Sequence, residues 1–204
     1  MQILPDDEFR RLIEAGYEST RIEFKSPFSW KDDESLWLRE KVIQTVLGLA
    51  NTGDGGDIIL GIETEDNKNI KLVGLDEGQL NSFSYDLLKG AVDSFASPCV
   101  NFDISEGHYD NKRFIVIRVS EFEDIPIICK RDGQHKDLIL RRGDIYCRSQ
   151  SGPPGTIRAT ETEMREILEL AIDKGMKKLT KRGYVPKETE DIKNLFDQQI
   201  KDLE

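Results

Sequence analysis

Apolar positions recur along the chain at two spacings, and the alternation between them predicts a mixed α/β domain. Residues 6–15 place Phe9, Leu12 and Ile13 on one helical face behind Asp6 and Asp7, with Gly16 as a stop. Residues 18–24 switch to a period of two: Thr20, Ile22 and Phe24 point one way, Arg21, Glu23 and Lys25 the other. The loop that follows carries Pro27, Phe28 and Trp30, whose rings serve either as a lid on the core or as a base-stacking platform. From Asp33 or Ser35 to about Asn51 a helix is expected, with Leu36, Ile43, Val46, Leu47 and Ala50 as its apolar stripe. Asp54-Gly55-Gly56 turns the chain into a strand over 57–63. Its Ile58, Leu60 and Ile62 face one layer, and its Ile59, Gly61 and Glu63 the other.

Beyond a polar turn, Leu72-Val73-Gly74-Leu75 reads as a short strand or edge. Asp76 caps a helix with Leu80, Phe83, Leu87, Ala91 and Phe95 in register, closed by Ser97-Pro98. Strands are expected over 100–105, 113–119, 125–129 and 145–148, with Asp110-Asn111 as the first turn. Residues 151–155 form a loop or linker. Thr160 and Glu163 make a capping box for a helix that buries Met164, Ile167, Leu168 and Ala171. After Lys174 a basic segment ends at Pro186, and Ile192, Leu195, Phe196, Ile200 and Leu203 repeat at helical spacing. This tail either folds onto its own domain or pairs with a second copy. The chain therefore divides into a domain over 1–172 and a basic segment with a C-terminal helix over 173–204.

Charge changes the picture by its distribution. The net charge of −10 speaks against nucleic acid, yet residues 1–109 carry 10 basic and 21 acidic groups, and residues 110–182 carry 16 and 12. An acidic front beside a basic back suits either a carboxylate site flanked by phosphate contacts or an ordinary mixed surface. Three distant cysteines, Cys99, Cys129 and Cys147, argue for a reduced, cytoplasmic protein. His108 and His135 stand apart from them, which argues against zinc. No apolar run approaches the roughly 18 residues of a membrane span, and the N-terminus lacks signal-peptide character.

The glycines after Asn51 invite a phosphate-loop reading, but they lack a Gly-Lys-Ser/Thr end and lead into a strand. What remains is a carboxylate set. Glu23 and Lys25 share a strand face, and Glu63 ends the next strand. Glu18 joins them only if the chain bends before Arg21. Neighbouring carboxylates with an ammonium are a usual means of holding a divalent metal against a phosphodiester.

Glu18-Ser-Thr-Arg-Ile-Glu23-Phe-Lys25, the amphipathic helix, Ala50-Asn51-Thr52 with Gly55-Gly56, and Ile59-Leu60-Gly61-Ile62-Glu63 together resemble the Schlafen family, in its AlbA-2-type domain. Val73-Gly74-Leu75, Ile145-Tyr-Cys-Arg148 and Ala159-Thr160 extend the likeness to about residue 171. The resemblance implies a mixed sheet flanked by helices, with a C-terminal helical tail. It also implies a Mg²⁺- or Mn²⁺-dependent endoribonuclease that cleaves structured RNA, tRNA or rRNA, in stress response or anti-phage defence. By motif, Glu18, Glu23 and Glu63 would hold the metal, with Glu65 as an alternative to Glu63, and Lys25 would neutralise the scissile phosphate. Expected phosphate contacts are Lys130, Arg131, Arg141, Arg142, Arg148 and Arg158. Animal members pair two lobes into a clamp, so a homodimer is expected here. The second reading is a non-catalytic RNA- or DNA-binding module that works with a partner, because fold alone does not bring catalysis.

Overall fold

The computed structural model describes residues 1–14, 16–66, 69–149 and 154–183, apart from the side chains of Glu65 and Asp66. Its strands are β1 (Gln2–Ile3), β2 (Ile22–Lys25), β3 (Gly56–Leu60), β4 (Ile62–Asp66), β5 (Asn69–Leu72), β6 (Ala96–Ser97), β7 (Phe102–Tyr109), β8 (Lys112–Val119), β9 (Ile128–Cys129), β10 (Tyr146–Arg148) and β11 (Thr156–Arg158). The helices are α1 (Asp6–Glu14), α2 (Leu36–Ala50), α3 (Glu77–Ser82), α4 (Tyr85–Asp93) and α5 (Glu161–Lys181).

Five strands form one mixed sheet in the order β1-β7-β8-β3-β2. Its centre is the β7–β8 hairpin, closed by Asp110 and Asn111, both at positive φ as a two-residue primed turn requires. β3 runs antiparallel to β8 and parallel to β2, which forms an edge. The mixed α/β class read from the pattern is the observed one. One sheet face buries Ile58, Leu60, Ile115 and Ile117 against α2 and its surroundings. The other buries Phe24, Ile59, Phe114 and Val116 under Phe9 and Ile13 of α1.

Several expected elements differ from the observed ones. The strand over 57–63 breaks at Gly61, whose φ of 105° ends β3. The Gly61 N–H donates to Lys25 O, and its carbonyl accepts from Val73 N and Gly74 N. The chain thereby leaves the main sheet and enters the separate β4–β5 ribbon. The single helix expected over 76–95 is two, because Phe83 is extended and the Ser84 side chain caps α4 through Leu87 N. Phe28 and Trp30 are buried with Phe83, ring centroids 5.4–6.0 Å apart. They are core residues, which removes them as a stacking platform. The strand expected over 18–24 is confined to 22–25, and β11 forms where no strand was expected. Leu168, expected inside, is exposed, whereas Ile167 is buried. α5 continues to Lys181, across the 172/173 division. The apolar tail positions Ile192 to Leu203 lie outside the described residues.

Asn51, at the C-cap of α2, holds two distant segments against the helix. Its amide donates to Ile127 O (2.8 Å) and Tyr146 O (2.9 Å), and its carbonyl accepts from Ile127 N (2.7 Å), all buried. Asn51→Ala leaves these three backbone groups without partners, at about 1–3 kcal/mol for each buried orphan. A loss of at least about 3 kcal/mol is expected in urea unfolding, as a lower midpoint with an unchanged slope.

Candidate functional site

The strand β2 carries the acids because its alternation is preserved: Phe24 enters the α1-side core, which turns Glu23 and Lys25 toward α2. The bend that Glu18 needs is present. Ser19 Oγ accepts from the N–H groups of Arg21 and Ile22, and Ser19 N donates to Ile22 O. Glu18 folds back and accepts the Phe24 N–H at 3.1 Å.

Glu18, Glu23 and Lys25 line a cavity of about 380 Å³ with Trp37, Leu38, Lys41, Gln44 and Thr45 of α2. Thr64 of β4 and Thr156 of β11 also border it. Glu23 is buried between two cations, Lys25 and Arg148, the second with Nη1 2.6 Å from its Oε2. The Arg148 side chain is 0% exposed and also donates to Ser19 O (2.8 Å) and Thr156 Oγ1 (3.1 Å).

This arrangement drives the two carboxyls apart in proton affinity. Burial raises Glu18, and the neighbouring Glu23 charge raises it further, against the Phe24 N–H and the nearby cations. Burial also acts to raise Glu23, but Lys25 and Arg148 outweigh it and hold that carboxyl below its ordinary value. Burial lowers Lys41, and the Lys25 charge beside it lowers it further. Two carboxylates, Glu18 and Glu23, and two ammoniums, Lys25 and Lys41, line the cavity, with Arg148 buried behind Glu23. Mg²⁺ is commonly held by one or two carboxylates, with water and phosphate completing its shell. Lys25 and Arg148 take both oxygens of Glu23, so Glu18 and Glu23 together could meet such an ion only with Lys25 displaced from Glu23.

The remaining expected residues are placed elsewhere. Glu63 pairs with Lys71 at 3.0 Å on the β4–β5 ribbon and does not line the cavity; Thr64, one residue on, does. Among the described residues no three acidic, histidine or cysteine side chains form a metal-holding group. Lys130, Arg131, Arg141 and Arg142 are exposed on the segment between β9 and β10. That segment docks on α2: Gln44, a cavity residue, donates to Ile139 O at 2.9 Å, and the buried Glu40 accepts from Gln134 N and His135 N. Arg131 lies over the Phe95 ring, and the exposed Arg158 pairs with Asp144. Arg148, expected at phosphate, is spent inside on Glu23.

Sequence reasoning missed Trp37, Lys41, Gln44, Thr45, Thr64 and Thr156. The α2 residues were within reach, since 37, 41, 44 and 45 form a second stripe at helical spacing beside the apolar one.

The two acids should respond oppositely to substitution. Glu23→Gln strands Arg148 as a buried unpaired cation and should cost about 3–5 kcal/mol at pH 7. Because the folded Glu23 pKa is depressed, its stabilisation is present above the unfolded value of 4.5 and lost as pH falls through the folded value. Glu18 is raised, so its contribution is unfavourable and grows as pH rises from 4.5 through its folded value. Glu18→Gln keeps an oxygen for Phe24 N and should raise Tm at pH 7 but leave it unchanged below pH 4.5. Thermal melts across pH check both.

Comparison with solved structures finds the DIP2311 protein from Corynebacterium diphtheriae, 16% identical with a TM-score of 0.49 over 80% of this chain. This chain spans 28% of that protein's length. It also finds the N-terminal domain of a RecG-related protein from Nitrosomonas europaea, 21% identical with a TM-score of 0.39, over 78% of this chain and 90% of that one. Comparison with curated proteins gives no significant match. Residues 18–152 match the family model described as Schlafen, AlbA_2, a span that holds β2, α2 and most of the cavity lining. On that match, over more than half its length, the chain belongs to the Schlafen AlbA_2 family.

Proposed function

We propose that this domain binds structured RNA, with tRNA the first candidate and rRNA the next, and hydrolyses a phosphodiester at the cavity between β2 and α2. The observation that carries this reading is the placing of Glu18 and Glu23 in one pocket with Lys25 and Lys41. Glu18, together with Glu23 once Lys25 turns from it to the phosphate, would hold Mg²⁺ or Mn²⁺, which supplies Lewis acidity and a water of lowered pKa when bound. Lys25 and Lys41 neutralise the phosphate, and the exposed Lys130, Arg131, Arg141 and Arg142 hold flanking phosphates beside it. The family, which includes nucleases, supports the reading. The free Cys129 and Cys147 suit a reducing, cytoplasmic setting.

A second reading, binding of RNA or DNA without cleavage, is favoured by one observation. The cavity position on β4 is Thr64, while Glu63 is engaged by Lys71. Incubation with total tRNA and Mg²⁺ or Mn²⁺ separates the two. Cleavage that falls at least roughly 100-fold in Glu18→Gln supports the enzyme. RNA retained intact by both proteins, with affinity falling steeply as salt rises, supports the binder. Glu18 is the better probe, because replacing Glu23 also unseats Arg148.

We also propose a homodimer through α5. Leu168, Ile172, Met176 and Leu179 form an exposed stripe on this helix at helical spacing. Residues 161–173 carry five acids and one arginine, and residues 174–182 carry five cations and no acid. Antiparallel pairing about Ile172 sets the acidic half of each helix against the basic half of its partner. Light scattering at tens of micromolar should give twice the chain mass, and Ile172→Glu should halve it. A monomeric parent would overturn the proposal.

A further inference from the structure

The chain has two tryptophans. Trp30 is 5% exposed, packed against Phe28 and Phe83, and its backbone N–H donates to Ser82 Oγ. Trp37 is 42% exposed in the first turn of α2 and lines the cavity. The Lys41 ammonium lies one turn on, 5.7 Å from the Trp37 ring centroid, and borders the same cavity. Packing does not account for an indole here, since the core residues of α2 lie on its other side. A large flat ring at the rim of a pocket holding two ammoniums matches a nucleotide, whose base has a π-face and whose phosphate is anionic. A volume of about 380 Å³ falls within the range of small-ligand sites.

We infer that Trp37 is the stacking platform for one unpaired nucleobase, whose adjoining phosphate lies against Lys41 and Lys25. The ligand is therefore a single-stranded stretch or loop of RNA, because a base inside a duplex has both faces covered by its neighbours. This assignment rests on the RNA-binding reading above and holds whether or not the strand is cut.

The test uses the full chain, a labelled single-stranded RNA 12-mer and the same strand annealed to its complement, with and without Mg²⁺. Binding is followed by anisotropy of the label and by tryptophan emission. The parent should bind the single strand with quenched emission. Trp37→Phe, which keeps an aromatic face, should bind more tightly than Trp37→Ala but lose the quench, leaving only Trp30 emission. Trp37→Ala should bind roughly 5- to 150-fold more weakly. The duplex should bind more weakly than the single strand and leave emission unchanged. A parent that binds while Trp37→Ala matches it, a quench that survives in Trp37→Phe, or equal quenching by the duplex would each overturn the stacking role alone. A parent that binds neither RNA would overturn the RNA-binding reading, and this assignment with it.

Discussion

The buried ion pair between Glu23 and Arg148 is the contact on which the site depends. It joins the edge strand β2 to β10, and the same guanidinium caps the carbonyl of Ser19 in the bend that brings Glu18 back. Burying two charges is costly unless each is paired and hydrogen-bonded. Arg148 answers with Glu23, Thr156 and the Ser19 carbonyl; its Nε has no partner among the described residues. Glu23 answers with Arg148 on one oxygen and Lys25 on the other. The pair therefore keeps an ionised carboxylate at the edge of a hydrophobic core, beside a second acid that the same surroundings make harder to ionise.

Helix α2 is the second organising element, because it serves two environments. One side fills the core with Val42, Ile43, Val46, Leu47 and Leu49. The other carries Trp37, Lys41, Gln44 and Thr45 to the cavity. Its polar residues also anchor distant backbone: Glu40 and Gln44 fix the basic segment between β9 and β10, and Asn51 fixes residues 127 and 146. A Cβ at position 133, where the residue is glycine, would displace the Glu40 carboxylate that accepts from Gln134 N and His135 N. The cavity wall and the basic segment are thus both anchored to α2.

The family match and the geometry bear on different questions. The match to the Schlafen AlbA_2 family spans the β2–α2–β3 frame and places the chain in a nucleic-acid-related family. Chemistry depends on which side chains reach the cavity, and on β4 the one that does is Thr64.

The sequence by itself determined the α/β class, the two helices α1 and α2, the Asp110-Asn111 turn and the sharing of one strand face by Glu23 and Lys25. All of these follow from periodicity and local turn chemistry, which report the face a residue takes within its own element. It also made a bend before Arg21 a condition for Glu18. Only the tertiary structure decided that Arg148 serves Glu23, 125 residues away, and not a phosphate. It likewise decided that Gly61 resets the strand so that Thr64 borders the cavity and Glu63 meets Lys71, and that Trp30 is core while Trp37 is exposed. The physical reason is common to all three. Alternation gives a side chain its direction, but what it meets there is set by packing between elements far apart in the chain, and no local pattern carries that information.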